Sequence, residues 1–235
     1  MSSELSFHAG GTSTPLTLKR SPRAKVMRLR VDPRTGAVVL TLPARASERK
    51  ALQWAAGHRA WIEAALAARP APAPIEPCAE IPLYGEPHRI DWSPAASRVV
   101  KVESGRMIVG GPIETLEPRL LRWLKQHART VLDRETREFA AKAGVAVTRT
   151  GIGDPLSRWG SCSSSGAIRY SWRLILVPEW VRRATVAHEV AHRVHMNHGP
   201  QFHALVEQLL GWDPKPARQW LRRHGASVHR FGRPA

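Results

Sequence analysis

Cysteine is nearly missing from this chain, with Cys78 and Cys162 the only two among 235 residues and far apart in sequence. Two such thiols give no disulfide framework, so stability must come from a buried core, and the reading is a reducing, cytoplasmic setting. No run of about 18 apolar residues occurs, which excludes a helical membrane span and any membrane partner that would need one. The opening MSSELSFHAGGTSTPLTLKR has no apolar h-region and does not read as a secretory signal. Acidic residues are scarce as well. Nineteen Asp plus Glu face thirty-six Lys plus Arg, a formal net charge of +17. Such a surface attracts polyanions, so contact with DNA or RNA is one expectation. The arginines are scattered rather than run together, which favours a solvated surface over a dedicated patch.

What is present divides into modules. The length allows one core, or one core with a smaller module appended. Residues 1–15 lack periodicity and read as a flexible tail. Residues 16–68 read as an N-terminal α/β module of strand, strand and helix. Val26, Leu29 and Val31 form the first strand, DPRTG at 32–36 a turn, and AVVLTL the second strand. A helix over 46–68 follows, capped by Ser47, with Trp54 and Trp61 as core anchors on one face. The Pro-rich run at 69–82 reads as an extended connector. Residues 83–235 read as the main domain. It opens with a small β-meander over 84–91, 98–102 and 107–109, then a long helix over 116–143 with a basic stripe from Arg119 to Arg137. After Gly144 come a strand over 145–152 and a hairpin over 157–163 and 167–176. A helix over 178–195, another from Pro200 to about Leu210 and a short one over 220–224 complete the chain.

The densest chemistry lies in TVAHEVAHRVHMNHGPQFH at 185–203. His188, Glu189 and His192 form H-E-x-x-H; on a helix, i and i+4 share a face, so two imidazoles can meet one ion. Glu189 projects beside them and can reach a water there, the arrangement of a metallohydrolase with a carboxylate base. A third ligand is needed, and His198 is favoured because Asn197, Gly199 and Pro200 signal a turn that folds it back. His195 on a straight helix would lie ~10.5 Å along the axis from His188, too far for one tetrahedral ion. His195 and His203 therefore read as neighbouring or packing residues.

Four blocks, SRWGSCSSSG at 157–166, SWRLILVP at 171–178, HEVAH at 188–192 and NHGPQF at 197–202, resemble the YgjP-like metal-dependent hydrolases, relatives of the SprT-like and minigluzincin zinc metallopeptidases. Their order and spacing are more specific than H-E-x-x-H alone. A weaker likeness extends to RAKVMRLRV and IPLYGEPHRI. The resemblance implies an α+β, minigluzincin-like domain in which a small mixed sheet with a hairpin backs the zinc-binding helix. One departure is His203, at a position where that family usually carries Trp.

The expected activity is thus a zinc metallopeptidase acting on a polypeptide substrate, with one Zn²⁺ on His188, His192 and His198 and Glu189 as general base. The stretch Arg158, Trp159, Gly160, Ser161 and Cys162 is expected to line the substrate cleft, a strand edge pairing with an extended peptide. Arg158, Tyr170, His195 and Asn197 are candidates to steady an oxyanion. Cys162 reads as a packed thiol rather than a nucleophile. Two other classes stay open: a single-metal nuclease acting on RNA with the same His spacing, and a metal-stabilised nucleic-acid-binding module. Glu189 and the RWGSC and SWRLI blocks favour the peptidase.

Overall fold

Alternating burial along the first strands sets the N-terminal sheet. In this computed structural model, which describes residues 5–232 other than 10, 33, 34 and 70, the chain divides into two compact units after Ala71. The first unit holds β1 (Ser6–Ala9), β2 (Thr12–Ser21), β3 (Arg28–Val31) and β4 (Val38–Pro43), in the order β1-β2-β4-β3. β2 runs parallel to β4, and the other neighbours are antiparallel. Phe7, Val38, Leu40 and Leu42 point inward from the sheet and are fully buried. The tail expected over 1–15 is therefore a hairpin wherever it is described; residues 1–4 lie outside the described residues. Its Ser/Thr-rich strands carry little apolar signal of their own and are held by ladder pairing. The turn at 32–36 is closed by Gly36 N–H donating to the Asp32 carbonyl, with residues 33 and 34 outside the described set.

The single helix expected next is two, α1 (Glu48–Gly57) and α2 (Arg59–Ala67), broken at His58. The Ser47 side chain caps α1 through Lys50 N–H. The break undoes the seven-residue register: Trp61 is 52 % exposed and is not a core anchor, whereas Trp54 packs against the His58 ring. The buried positions are Ala51, Ala55, Ile62 and Leu66.

The second unit begins inside the Pro-rich stretch. Ala73 N–H donates to the Arg230 carbonyl, and Ala73 and Ile75 are buried, so this part of the stretch is built into the fold rather than spanning free space. β5 (Glu80–Leu83), β6 (Glu86–Ser93), β7 (Lys101–Glu103) and β8 (Arg106–Gly110) form a sheet in the order β5-β6-β8-β7. β6 and β8 are parallel, so the expected meander is replaced by a crossover.

α3 (Leu116–Ala143) buries Leu120, Leu124, Ala128, Val131, Leu132 and Phe139 at helical spacing. It ends where Gly144 adopts φ 66°, a left-handed cap that glycine takes without Cβ strain. β9 (Arg149–Gly153), β10 (Gly160–Cys162) and β11 (Ala167–Ser171) make a three-stranded mixed sheet in the order β10-β11-β9, β10 and β11 forming the expected hairpin. A short 3-10 turn (Trp172–Ile175) leads into α4 (Glu179–Ala191), and α5 (Pro200–Leu210) and α6 (Lys215–Val228) follow. The fold is α+β.

Buried ion pairs fix α4. Arg182 and Glu135 are each about 1 % exposed and joined at 2.8 Å, linking α4 to α3. Removing one partner of such a pair costs about 3–5 kcal/mol because the other charge is left desolvated. Arg183 makes a second, more exposed link to Glu138 at 2.6 Å. Arg173, also buried, pairs with Asp154 at 2.7 Å and donates to the carbonyls of Val228 and Phe231, which pins the end of α6. One member of the basic stripe on α3 is likewise engaged inside the fold, Arg119 donating to the Gly110 carbonyl, whereas Arg137 is exposed and pairs with Asp133 on the helix surface.

Candidate metal centre

α4 presents His188 and Glu189 near its end and stops at Ala191, with His192 as its cap residue. The helix expected to run to 195 is shorter because the chain tightens there: Arg193 N–H donates to Val190 O, and both Val194 and His195 N–H donate to Ala191 O. The His192 ring, through Nδ1, meets the His195 carbonyl at 3.1 Å, which orients its Nε2 away from the turn. His195 thus contributes a backbone carbonyl, and its imidazole does not join the cluster. The turn brings His198 back onto α4. Ligand nitrogens of His188, His192 and His198 all lie within 4.8 Å of one another.

One pair, Nε2 of His188 and Nε2 of His198, stands 3.1 Å apart. That is close to the edge of a tetrahedron built on ~2.05 Å bonds, about 3.3 Å. The floor beneath the three rings is Phe202, fully buried, with centroid distances of 4.8, 4.5 and 4.7 Å to His188, His192 and His198. Pro200 at the first turn of α5 places it there. No role was expected for Phe202; its position in NHGPQF is the signal the sequence offers. His203 lies further out, 6.4 Å from the His198 ring centroid, and borders the adjoining pocket.

Burial and charge prepare these groups. Desolvation, and after it the neighbouring imidazoles and Arg218, holds His188 down to about 3, so its ring is neutral and its lone pair free. His198 is lowered in the same sense, again chiefly by desolvation. Glu189, 6 % exposed, is raised by burial to about 7, offset in part by Arg158. A β-carbon built on Gly160 would sit 2.5 Å from Glu189 Oε1. Only glycine lets β10 lie this close to the carboxylate.

Arg158, Trp159 and Gly160 wall a pocket of about 250 Å³ that opens onto His188 and Glu189. Its far side is α6, which supplies Ala217, Arg218 and Leu221. None of these α6 residues was expected at the site. Trp159 packs on α6, where a β-carbon at Gly225 would come within 3.0 Å of its ring. Ser161 and Cys162 are not part of that pocket; they border a separate hollow with Arg129, Arg149 and Arg169. Burial raises the Cys162 thiol, which argues against a nucleophile. Tyr170 is fully buried with its hydroxyl engaged by Thr136, so it does not face the pocket, and Asn197 is exposed on the turn.

The strand edge has a definite polarity. Ser171 N–H donates to Trp159 O at 2.8 Å and Ser163 N–H to Ala167 O at 2.9 Å. Residues 159, 161 and 163 therefore turn their polar backbone groups to β11, and Gly160 and Cys162 turn theirs outward.

A family model described as "YgjP-like, metallopeptidase domain" matches residues 25–224, most of the chain. No curated protein and no solved structure matches it. No helix among the described residues is long and apolar enough to cross a membrane.

Proposed function

The chain belongs to the YgjP-like metallopeptidase family, a family of metal-dependent hydrolases, and from that premise we propose that it is a zinc peptidase with Glu189 as its general base. The observation that carries the reading is the convergence of three histidine nitrogens beside one buried carboxylate. The residues fit the ion. Their ring nitrogens face one point, His192 is held in one tautomer by the His195 carbonyl, and an all-imidazole set suits zinc.

His188, His192 and His198 would hold the ion, which when bound would supply Lewis acidity and lower the pKa of a water towards ~7. The remaining work falls to the chain. Glu189 takes the proton from the attacking water on a carboxylate oxygen and delivers it to the departing amide nitrogen as the C–N bond breaks. Burial raises its proton affinity into the range suited to both transfers. The outward backbone groups of Gly160 and Cys162 offer a strand edge on which an extended peptide pairs, placing its carbonyl over the site. Arg158, at the pocket mouth, can face the developing oxyanion.

Glu189→Gln tests this. It retains size and an acceptor but no basicity, and peptide hydrolysis should fall by about 10²–10⁴ with zinc and fold retained. Wild-type protein should be assayed on polypeptide and RNA side by side. Cleavage of RNA without cleavage of any polypeptide, or an unchanged rate in Glu189→Gln, would overturn the reading.

A further inference from the structure

The pocket beside Glu189 carries more positive charge than the hydrolytic chemistry uses: Arg158 has a role there, and Arg218 has none. Its walls are largely apolar, from Trp159, Ala184, Val206, Pro214 and Leu221, and it also contains two arginines, Arg158 and Arg218. The one acidic side chain lining it is Glu189, which is packed against Gly160. Elsewhere in this unit the arginines near the core are matched: Arg119 with a carbonyl, Arg173 with Asp154, Arg182 with Glu135 and Arg183 with Glu138. Among the described residues, neither Arg158, which is exposed, nor Arg218, which is half-buried, stands in salt-bridge contact with a carboxylate. Both side chains line the same pocket as His188 and Glu189 and bring positive fields to it. Apolar walls lower the local dielectric and strengthen such fields.

Guanidinium groups in this setting select planar anions, with which they form paired, charge-assisted hydrogen bonds. A cavity of about 250 Å³ next to the reacting centre has room for one side chain. We propose that this pocket takes a carboxylate of the polypeptide substrate, with Arg158 and Arg218 as its counter-charges, so that cleavage falls next to an acidic residue or a free C-terminus. The proposal rests on the peptidase reading above and adds to it a substrate class. Arg218 becomes a specificity residue carried by α6, 26 positions beyond His192 in the chain.

The test uses the full zinc-loaded chain and one internally quenched peptide carrying Glu, Gln or Lys at positions flanking the scissile bond. Each peptide is made with a free or an amidated C-terminus. The Glu peptide should exceed its Gln counterpart in kcat/KM by about 10–100-fold, the scale of a hydrogen bond to a charged group. Whether Glu or the free terminus gives the gain identifies the source of the carboxylate. Arg218→Glu should invert the order in favour of Lys, and Arg218→Gln should level it. The Glu/Gln ratio is read within each variant, so changes in overall rate cancel. The same peptides are also titrated by fluorescence anisotropy onto zinc-loaded Glu189→Gln protein, where the same order of affinity is expected. Equal cleavage and binding of Glu and Gln peptides overturns the carboxylate pocket and leaves the peptidase reading standing. Absence of cleavage of any peptide overturns the peptidase reading, while the anisotropy series still decides the pocket. A preference for Glu that survives in both Arg218 variants removes Arg218 from the assignment.

Discussion

Gly160→Ala adds one methyl group and aims it at the carboxylate. Gly160 lies in β10 and is not among the positive-φ glycines, so the backbone accepts alanine without strain. The difficulty is space: the new carbon would lie 2.5 Å from Glu189 Oε1, 2.6 Å from Cγ and 2.7 Å from Cδ. Carbon contacts prefer about 3.5–4.0 Å, so the Glu189 side chain must retreat by roughly 1 Å. A misplacement of ~1 Å at a reacting group can cost about 10²-fold in rate, whereas overpacking typically costs about 1–3 kcal/mol in stability. The expected result is kcat/KM lowered by about 10²-fold with zinc content unchanged and a modestly lower denaturation midpoint. Gly151→Ala is the control. It places a methyl on the same sheet, but its nearest neighbour is the Ile168 carbonyl at 4.0 Å, so activity should hold. Full activity in Gly160→Ala with zinc bound would refute the reasoning, because Glu189 would then either not be the base or not sit where its contact with Gly160 puts it.

The metal set is checked by elemental analysis: His188→Ala, His192→Ala and His198→Ala should each lose most bound zinc, and His195→Ala and His203→Ala should keep it. Loss with His203→Ala but not with His198→Ala would reassign the third ligand. Proline scanning of β10 should follow the edge polarity. Cys162→Pro should impair cleavage with the fold intact, whereas Ser161→Pro, whose N–H faces β11, should lower thermal stability. A pH series addresses the α3–α4 link. Arg183, and after it Lys142, hold the Glu138 carboxyl down to about 2 from 4.5. Because the folded pKa is the lower one, this stabilisation is present above about 4.5 and disappears as pH falls towards 2. Glu138 is 39 % exposed, so solvent screening limits the effect to ~1 kcal/mol. Glu138→Gln should be that much less stable than wild type in urea at pH 7 and equal to it near pH 2.

How far the sequence could be read depended on how local each signal was. α3 was legible because its apolar stripe and its terminating Gly144 both lie within the segment. The histidine cluster was legible because i, i+4 spacing and an Asn-His-Gly-Pro turn are short-range patterns. What failed was non-local. The parallel pairing of β6 with β8, and of β2 with β4, depends on partners that no window reveals. The strands at 6–9 and 12–21 are polar alternations stabilised by their neighbours. α6 read as a short helix over 220–224 because Lys215–Val228 is rich in arginine and buries only Ala217, Gly225 and Val228. Its place against Trp159, and with it the second wall of the pocket, is a fact of packing. The end of α4 at Ala191 rather than 195 is another: a ring-to-carbonyl bond at His192 competes there with helix continuation.

The buried Arg173 has a mechanical meaning beyond stability. Its guanidinium reaches the carbonyls of Val228 and Phe231 at one end of α6, while Trp159 bears on the same helix at Gly225. The pocket is therefore built like a vice: α6 is one jaw, and the group that clamps it lies behind it, in the 3-10 turn that leads into α4. Slackening Arg173, or its tether Asp154, would let that jaw open without altering any residue that touches a substrate. Substitution of Arg173 is therefore expected to shift selectivity from a position remote from the reacting atoms, with the three histidines and Glu189 unchanged.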